Sequence, residues 1–183
     1  MKKTIFAAFA AALALSLTAT AQTKDPKVGG AEMFPSKTIV ANAVNSPIHT
    51  TLVAAVKAAG LVDTLNSPGP FTVFAPTDDA FAKLPAGTVG TLVKPENHDT
   101  LVKILTYHVV SGRISAADLK AWIHKGHGSY ALKTVSGGTL TASMRGKTII
   151  LTDEKGGTST ITTANVFQSN GVIHVVDTVL MPN

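Results

Sequence analysis

The chain has 183 residues, no cysteine and a formal net charge of +5. The length suits one domain with one hydrophobic core, and the lack of cysteine excludes stabilisation by disulfide bonds. The basic residues are spread along the sequence without interleaved aromatic residues, which argues against nucleic-acid binding. The mild positive charge weakly favours an acidic polysaccharide or a membrane surface as partner.

Residues 1–21 have the features of a cleaved export signal. Lys2 and Lys3 precede an apolar run, and small residues then lead to a predicted cleavage between Ala21 and Gln22. The apolar run is too short to span a bilayer comfortably. We therefore expect an exported protein, periplasmic or extracellular, without a transmembrane segment in its mature form. An uncleaved N-terminal anchor is the alternative.

The segment after the signal is predicted to reach the domain as an extended arm. Residues 22–37 are polar and contain glycine and proline, and the domain is expected over residues 38–183. A first helix is predicted over residues 38–44. A second helix is predicted from Ser46, a good N-cap, with Pro47 at the first helical position. A short helical turn over residues 61–65 follows.

A strand followed by a capped helix comes next. Residues 71–75 predict a strand, and Thr77 is placed to cap a helix that carries Asp78 and Asp79 in its first turn, where carboxylates favour the positive end of the helix dipole. Further helices are predicted over residues 88–93 and 95–105, a strand over residues 107–110, and a helix opened by a capping box of Ser115 and Asp118.

The remaining sequence has the two-residue alternation of strands. Strands are predicted over residues 139–144, 148–151 and 159–167, and an Asn170-Gly171 hairpin joins the last of these to a closing strand. Helices in the first half and antiparallel strands in the second predict an α+β domain.

The closing segment, residues 170–182, is almost continuously apolar, which is typical of a strand buried on both faces. His174 and Asp177 interrupt it, and burying them costs free energy unless they find partners. We expect both, together with Asp78, to be structural polar groups.

Three motifs in one order resemble the fasciclin domain family. Residues 71–85 read FTVFAPTDDAFAKLP and are similar to its first signature box, Tyr107-His108 resembles its YH motif, and residues 170–182 resemble its second box. The resemblance implies a β-wedge of mostly antiparallel strands with a cluster of helices in the N-terminal half. It also implies a non-enzymatic adhesion or cell-surface interaction module.

The resemblance also implies candidate binding residues. In animal relatives, integrin binding is assigned to the YH region and to an Asp-Ile pair before the second box, which falls here on Asn165-Val166. A neutral amide replaces the carboxylate that would complete a metal site, so integrin chemistry is not expected here. The candidate surface consists of Tyr107, His108, Asn165, Val166 and Phe167. By residue type alone, Tyr107 is more typical of a core residue with its hydroxyl at the edge, and His108 of a polar group satisfied in the core. The expected partner is a cell-surface or envelope component, protein or polysaccharide, and the expected state is a monomer.

Other functions have weaker support in the sequence. His108 or His174 beside a carboxylate could form an acid–base pair, but no nucleophile motif accompanies them. His124 and His127 are too few for a metal site, and we expect surface histidines there. We therefore expect no catalytic residues, no cofactor and no metal. The main alternative function is a periplasmic carrier or sensor that holds a lipid or pigment in an apolar cleft between the helices and the wedge.

Overall fold

The computed structural model describes residues 26–183, so the predicted signal segment and its cleavage site at Ala21 and Gln22 lie outside it. Helices dominate the first part of the described chain, and they are α1 (Ile39–Ala43), α2 (Thr50–Ala58), α3 (Val62–Asn66), α4 (Asp78–Ala82), α5 (Thr88–Leu92), α6 (His98–Tyr107) and α7 (Ala116–Lys125), with a 3-10 turn at Pro95–Asn97. The strands are β1 (Lys27–Val28), β2 (Ala31–Glu32), β3 (Phe71–Pro76), β4 (Val109–Ser111), β5 (Ser129–Lys133), β6 (Thr139–Arg145), β7 (Thr148–Thr152), β8 (Thr158–Gln168) and β9 (Gly171–Val176). The predicted α+β class is confirmed.

Seven strands form one sheet in the order β4-β3-β9-β8-β7-β6-β5. The central pair β3 and β9 is parallel, whereas the other neighbours are antiparallel. An isolated bridge between Val110 and Thr134 joins the region of β4 to the end of β5. The sheet is therefore nearly closed into a barrel, and its two signature strands lie side by side in its interior, flanked by β4 and β8.

The apolar core has two parts, one on each face of the central strands. Helices α1, α2, α3 and α6 cover one face, where Val73, Val166 and Ile173 are buried. Helix α7 covers the other face, where Phe74, Leu119 and Leu140 are buried, so the sheet curls around the side chains of this helix. All six residues of β9 are buried, as the apolar run predicts.

The prediction of an extended arm is wrong for residues 26–37. Strands β1 and β2 pair as a short hairpin, and Val28 and Met33 are buried in the helix-side core. The segment is mostly polar, but it contains two apolar side chains, and burying each of them stabilises the fold.

Two local predictions in the helical half are also wrong. Helix α2 begins at Thr50 rather than after Ser46, because the Ser46 hydroxyl is bonded to His49 Nδ1, 2.7 Å away, within a separate turn. Tyr107 and His108 are not in a strand. Tyr107 is the last residue of α6 and His108 is its C-cap.

The closing hairpin differs in its turn. Ser169 and Asn170 form the two-residue loop, since Gln168 pairs with Gly171. The side-chain amide of Asn170 donates to Leu65 O and Ser67 O, and its oxygen accepts from Ile39 N. Asn170 therefore ties the hairpin to α1 and α3 rather than serving as a positive-φ turn residue. Among residues 26–183, no helix is long and apolar enough to cross a membrane.

Candidate functional site

Tyr107 is fully buried at the end of α6. Its hydroxyl donates to Thr139 O at 2.7 Å and accepts from Glu154 N at 3.1 Å. Burial, with the nearby Glu154 and Asp153 carboxylates, raises the pKa of Tyr107 to about 12. The hydroxyl is thus neutral at physiological pH. It joins the end of α6 to the start of β6 and to the turn after β7.

His108 is 3% exposed, with both ring nitrogens bonded. Nε2 accepts from Leu180 N at 3.0 Å, so the proton lies on Nδ1, which donates to Ile104 O at 2.9 Å. Burial lowers the pKa of His108, although the bond to Ile104 opposes this effect. A neutral imidazole with both nitrogens bonded has no free nitrogen for acid–base chemistry.

His174 has the opposite tautomer. Its Nε2 lies 2.9 Å from Ile114 O and donates to it, whereas Nδ1 accepts from Asn165 N at 3.3 Å. The ring stacks on Phe74, with centroids 5.7 Å apart. Burial lowers the pKa of His174 as well. His174 therefore links the central strand to the loop before α7 and to a bulge in β8.

Asn165 occupies that bulge with a φ of +61°, a left-handed conformation that asparagine tolerates better than most residues. Its Oδ1 accepts from Ala116 N, the first residue of α7, at 2.8 Å. The amide that replaces the expected carboxylate thus supports a helix N-terminus.

The predicted binding surface is not formed as one surface. Tyr107 and Val166 are fully buried and His108 nearly so, and a partner cannot reach them in the folded protein. Asn165 is partly buried with its amide oxygen occupied. Phe167, which is 38% exposed, is the accessible member of the set. The sequence motif reports family membership, but it does not report which side chains face solvent.

Two carboxylates of the signature boxes cap backbone groups. Asp78 accepts from Thr50 N, Thr50 Oγ1 and Thr51 N at the start of α2, at 2.7–3.2 Å. Burial alone would raise the pKa of Asp78, but these hydrogen bonds outweigh it and hold the pKa below its ordinary value.

Asp177 follows β9, and its Oδ1 accepts from Thr160 N at 2.8 Å and from the Thr178 hydroxyl at 3.1 Å. Burial again opposes ionisation, yet the hydrogen bonds and nearby Lys83 lower the pKa of this carboxyl. Sequence reasoning identified both carboxylates but not the elements that each one joins.

Residues 26–183 contain no group of three or more His, Asp or Glu side chains able to hold a metal ion. His124 and His127 are exposed, at the end of α7 and in the loop after it. The described buried side-chain atoms without a hydrogen bond are Nε2 of His49 and both amide atoms of Gln168.

An apolar cavity of about 70 Å³ lies between the helices and the sheet. Its polar lining residues are Thr64, Thr106 and His108, and the other sixteen are apolar. The Thr106 hydroxyl donates to Val102 O at 2.6 Å, and both His108 nitrogens are occupied, so neither offers a free donor. The cavity lies where the sequence-based alternative placed an apolar cleft.

These features define a class of protein: a domain whose helices cover a nearly closed sheet and whose buried polar residues hold its elements together. The chain belongs to the fasciclin domain family, because the family model described as Fasciclin domain matches residues 47–182. The predicted family resemblance is thereby confirmed.

Relatives in three kinds of organism are similar to this chain. Protein sll1483 of the cyanobacterium Synechocystis is 47% identical over 159 residues, which cover 87% of this chain and 81% of that protein. Immunogenic protein MPB70 of Mycobacterium bovis is 38% identical over 145 residues, covering 76% of this chain and 66% of that protein. The solved FAS1 domain pair of the insect cell adhesion molecule Fasciclin I has the same fold, with a TM-score of 0.64 at 21% identity over 80% of this chain and 51% of that chain.

Proposed function

We propose that this protein is an exported, non-enzymatic module that acts by surface contact with a component of the cell envelope or cell surface. The observation that carries the proposal is the state of its buried polar groups. His108 and His174 are neutral, and every ring nitrogen of the two is bonded to the backbone. The residues best suited to acid–base chemistry therefore serve to hold the fold together.

Family membership supports the same function. Fasciclin I, whose domain pair shares this fold, is described as a cell adhesion molecule. Residues 1–21 read as an export signal, which would deliver the domain to the compartment where such contacts occur.

Among the predicted binding residues, Phe167 is the one that we assign to contact with the partner, because it is exposed. The Arg113 guanidinium donates to Gln168 O and Ser169 O, the two residues that follow Phe167, at 2.9 and 3.0 Å and is thereby held against the closing hairpin. Aromatic and arginine side chains are both enriched at binding surfaces.

The test is a binding screen of the purified protein against envelope polysaccharides, extracellular matrix proteins and lipid vesicles. We expect saturable binding to at least one class. Phe167→Ala and the exposed-site control Val93→Ala then show whether Phe167 contributes. Folded protein that binds none of the three classes would overturn the proposed function.

A second function, a carrier of an apolar ligand, is favoured by the cavity. About 70 Å³ is less than half of the roughly 150 Å³ that accommodates benzene in an engineered protein cavity. The cavity therefore holds at most a short hydrocarbon segment, such as the end of an acyl chain, and the lining offers few polar partners for a headgroup.

Palmitate is a suitable probe for the carrier function, with thermal shift and native mass spectrometry as readouts. Val53 lines the cavity on α2, whereas its neighbour Ala54 is exposed and outside the cavity. Val53→Phe should fill the cavity and abolish a palmitate-induced shift, and Ala54→Phe should retain it. Equal shifts in both variants would place the palmitate elsewhere.

A further inference from the structure

The positive charge is concentrated in one part of the fold. Residues 26–183 contain 13 basic and 10 acidic residues. Residues 119–152 contain five basic residues and no acidic one, which leaves eight basic and ten acidic residues in the rest of the described chain. The expectation of evenly spread basic residues is therefore wrong for the segment that forms most of α7 and strands β5, β6 and β7.

Part of this basic segment forms a groove. An open depression of about 800 Å³ is lined by Lys120, Ile123, His124, Lys125, His127, Gly128 and Met144. Arg145 and Lys147 lie in and beside the turn that follows Met144. Lys120, Lys125, Arg145 and Lys147 are all exposed, and none has a salt bridge within the part of the chain that the structure describes. We call this surface the basic groove.

Helix stability explains only part of this pattern. Cations in the last turn of a helix interact favourably with its dipole, which accounts for His124 and Lys125 in α7. Lys120 lies earlier in the helix, Arg145 ends β6 and Lys147 lies in the turn before β7, so the dipole does not account for them. The nearest acidic residues along β6 and β7 are Asp153 and Glu154, at the opposite end of these strands from the turn.

An aromatic pair lies beside the basic groove. Trp122 and Tyr130 pack together with ring centroids 5.0 Å apart, and Tyr130 is 39% exposed. Trp122 is three residues before Lys125 on α7, so the two side chains are neighbours on the helix surface. The surface thus combines unpaired cations with an exposed aromatic ring.

We propose that the basic groove binds an acidic polysaccharide, with Lys120 and Lys125 facing its carboxylate or sulfate groups and Tyr130 packing against a sugar ring. This inference deepens the proposed contact function and rests on it. The side chains around the depression favour a polysaccharide over a bilayer. Tyr130 has a polar hydroxyl, and no large aliphatic side chain around the groove is prominently exposed for insertion into lipid.

The probe is polygalacturonate, tested with the purified protein by biolayer interferometry at two salt concentrations. Lys120→Ser/Lys125→Ser removes two groove cations. The matched control Lys57→Ser/Lys155→Ser removes the same charge from exposed positions on α2 and on the turn after β7. Circular dichroism verifies that both variants are folded.

We expect saturable binding that weakens with added salt and is about tenfold or more weaker in the groove variant, with a change of about twofold or less in the control. Tyr130→Ala should weaken binding further, and neutral dextran should not bind. An equal loss of affinity in both double variants would overturn the assignment of binding to the basic groove, because it would show that only the net charge matters. Tighter binding of duplex DNA or phosphatidylglycerol vesicles than of polygalacturonate, with the same dependence on Lys120 and Lys125, would overturn the polysaccharide as partner.

The failure of this inference differs from failure of the proposed function. Envelope binding that survives in the groove variant would overturn the groove and retain the contact function. Absence of binding to every probe would overturn both.

Discussion

The Nε2 atom of His108 accepts a hydrogen bond from the backbone N–H of Leu180, 3.0 Å away, and so joins the end of α6 to the segment after the closing strand. This bond connects the YH motif with the second signature box, 72 residues apart in sequence. Each motif thus supplies a hydrogen-bonding partner for a buried group of the other.

His108→Ala should lower the free energy of unfolding by about 2–4 kcal/mol, because it creates a cavity and leaves the buried Leu180 N–H without an acceptor. Urea unfolding followed by circular dichroism measures this change. His124→Ala, at an exposed position of α7, is the control and should change stability by no more than about 0.5 kcal/mol. Equal midpoints for wild type and His108→Ala would show that the bond is unimportant.

Stability should fall as the pH decreases below about 6.5, the ordinary histidine pKa. Burial lowers the pKa of His49, His108 and His174 in the folded protein, so the unfolded chain binds more protons in this range. The stabilisation is present above the unfolded-state pKa and is lost as the pH falls through the folded-state values.

Urea midpoints between pH 8 and pH 5 test this dependence. His108→Gln keeps a neutral polar side chain and should show a shallower decrease than wild type. Midpoints that stay constant over this range would contradict the assignment of neutral buried imidazoles.

Asp177→Ala should destabilise the fold by about 1–3 kcal/mol, because Thr160 N loses its acceptor beside the last strand. Asp177→Asn retains an oxygen acceptor and should cost less. Thermal unfolding of the three proteins gives the order wild type, Asn, Ala. An alanine variant as stable as wild type would show that water replaces the carboxylate without cost.

Asn165→Asp should be at least as stable as wild type near neutral pH. The carboxylate keeps an acceptor for Ala116 N and adds a negative charge at the N-terminus of α7, where the helix dipole favours it. Asn165→Ala should instead lose about 1–3 kcal/mol, because it removes the acceptor and places alanine at a φ of +61°. Thermal denaturation of both variants separates the two effects, and a destabilised aspartate variant would contradict the inferred contact.

Locally determined elements were predictable from the sequence. Both hydrogen bonds of the Ser115–Asp118 capping box are present, since each side chain accepts from the backbone N–H of the other residue. Thr77 caps α4 by accepting from Ala80 N. Each signal acts within four residues and is therefore written in the adjacent sequence. The buried closing strand was predictable for the same reason, because its nearly continuous apolar composition indicates a strand covered on both faces.

Contacts between distant residues account for the errors. Helix α2 is capped by Asp78, 28 residues from Thr50, whereas the local sequence favours a start at Ser46. Asn170 lies in the hairpin turn, but its side-chain amide is bonded to Leu65 O, 105 residues away. Both outcomes depend on tertiary packing, which overrides local preference.

The candidate site was affected in the same way. Tyr107 and His108 belong to the candidate surface only through the family motif, whereas their residue types favour buried positions, which the structure shows. The charge asymmetry of residues 119–152 was available from the sequence, whereas the groove that its lysines line required the arrangement of α7 against β6.

The most direct test of the account is the reactivity of the six histidines towards diethyl pyrocarbonate, located by peptide mass spectrometry. In the native protein we expect rapid modification of the exposed His98, His124 and His127, and protection of the buried His49, His108 and His174 until urea is added. If His108 and His174 react as fast as His124 in the native protein, they are accessible, and the claim that the signature residues serve the fold rather than a partner is contradicted.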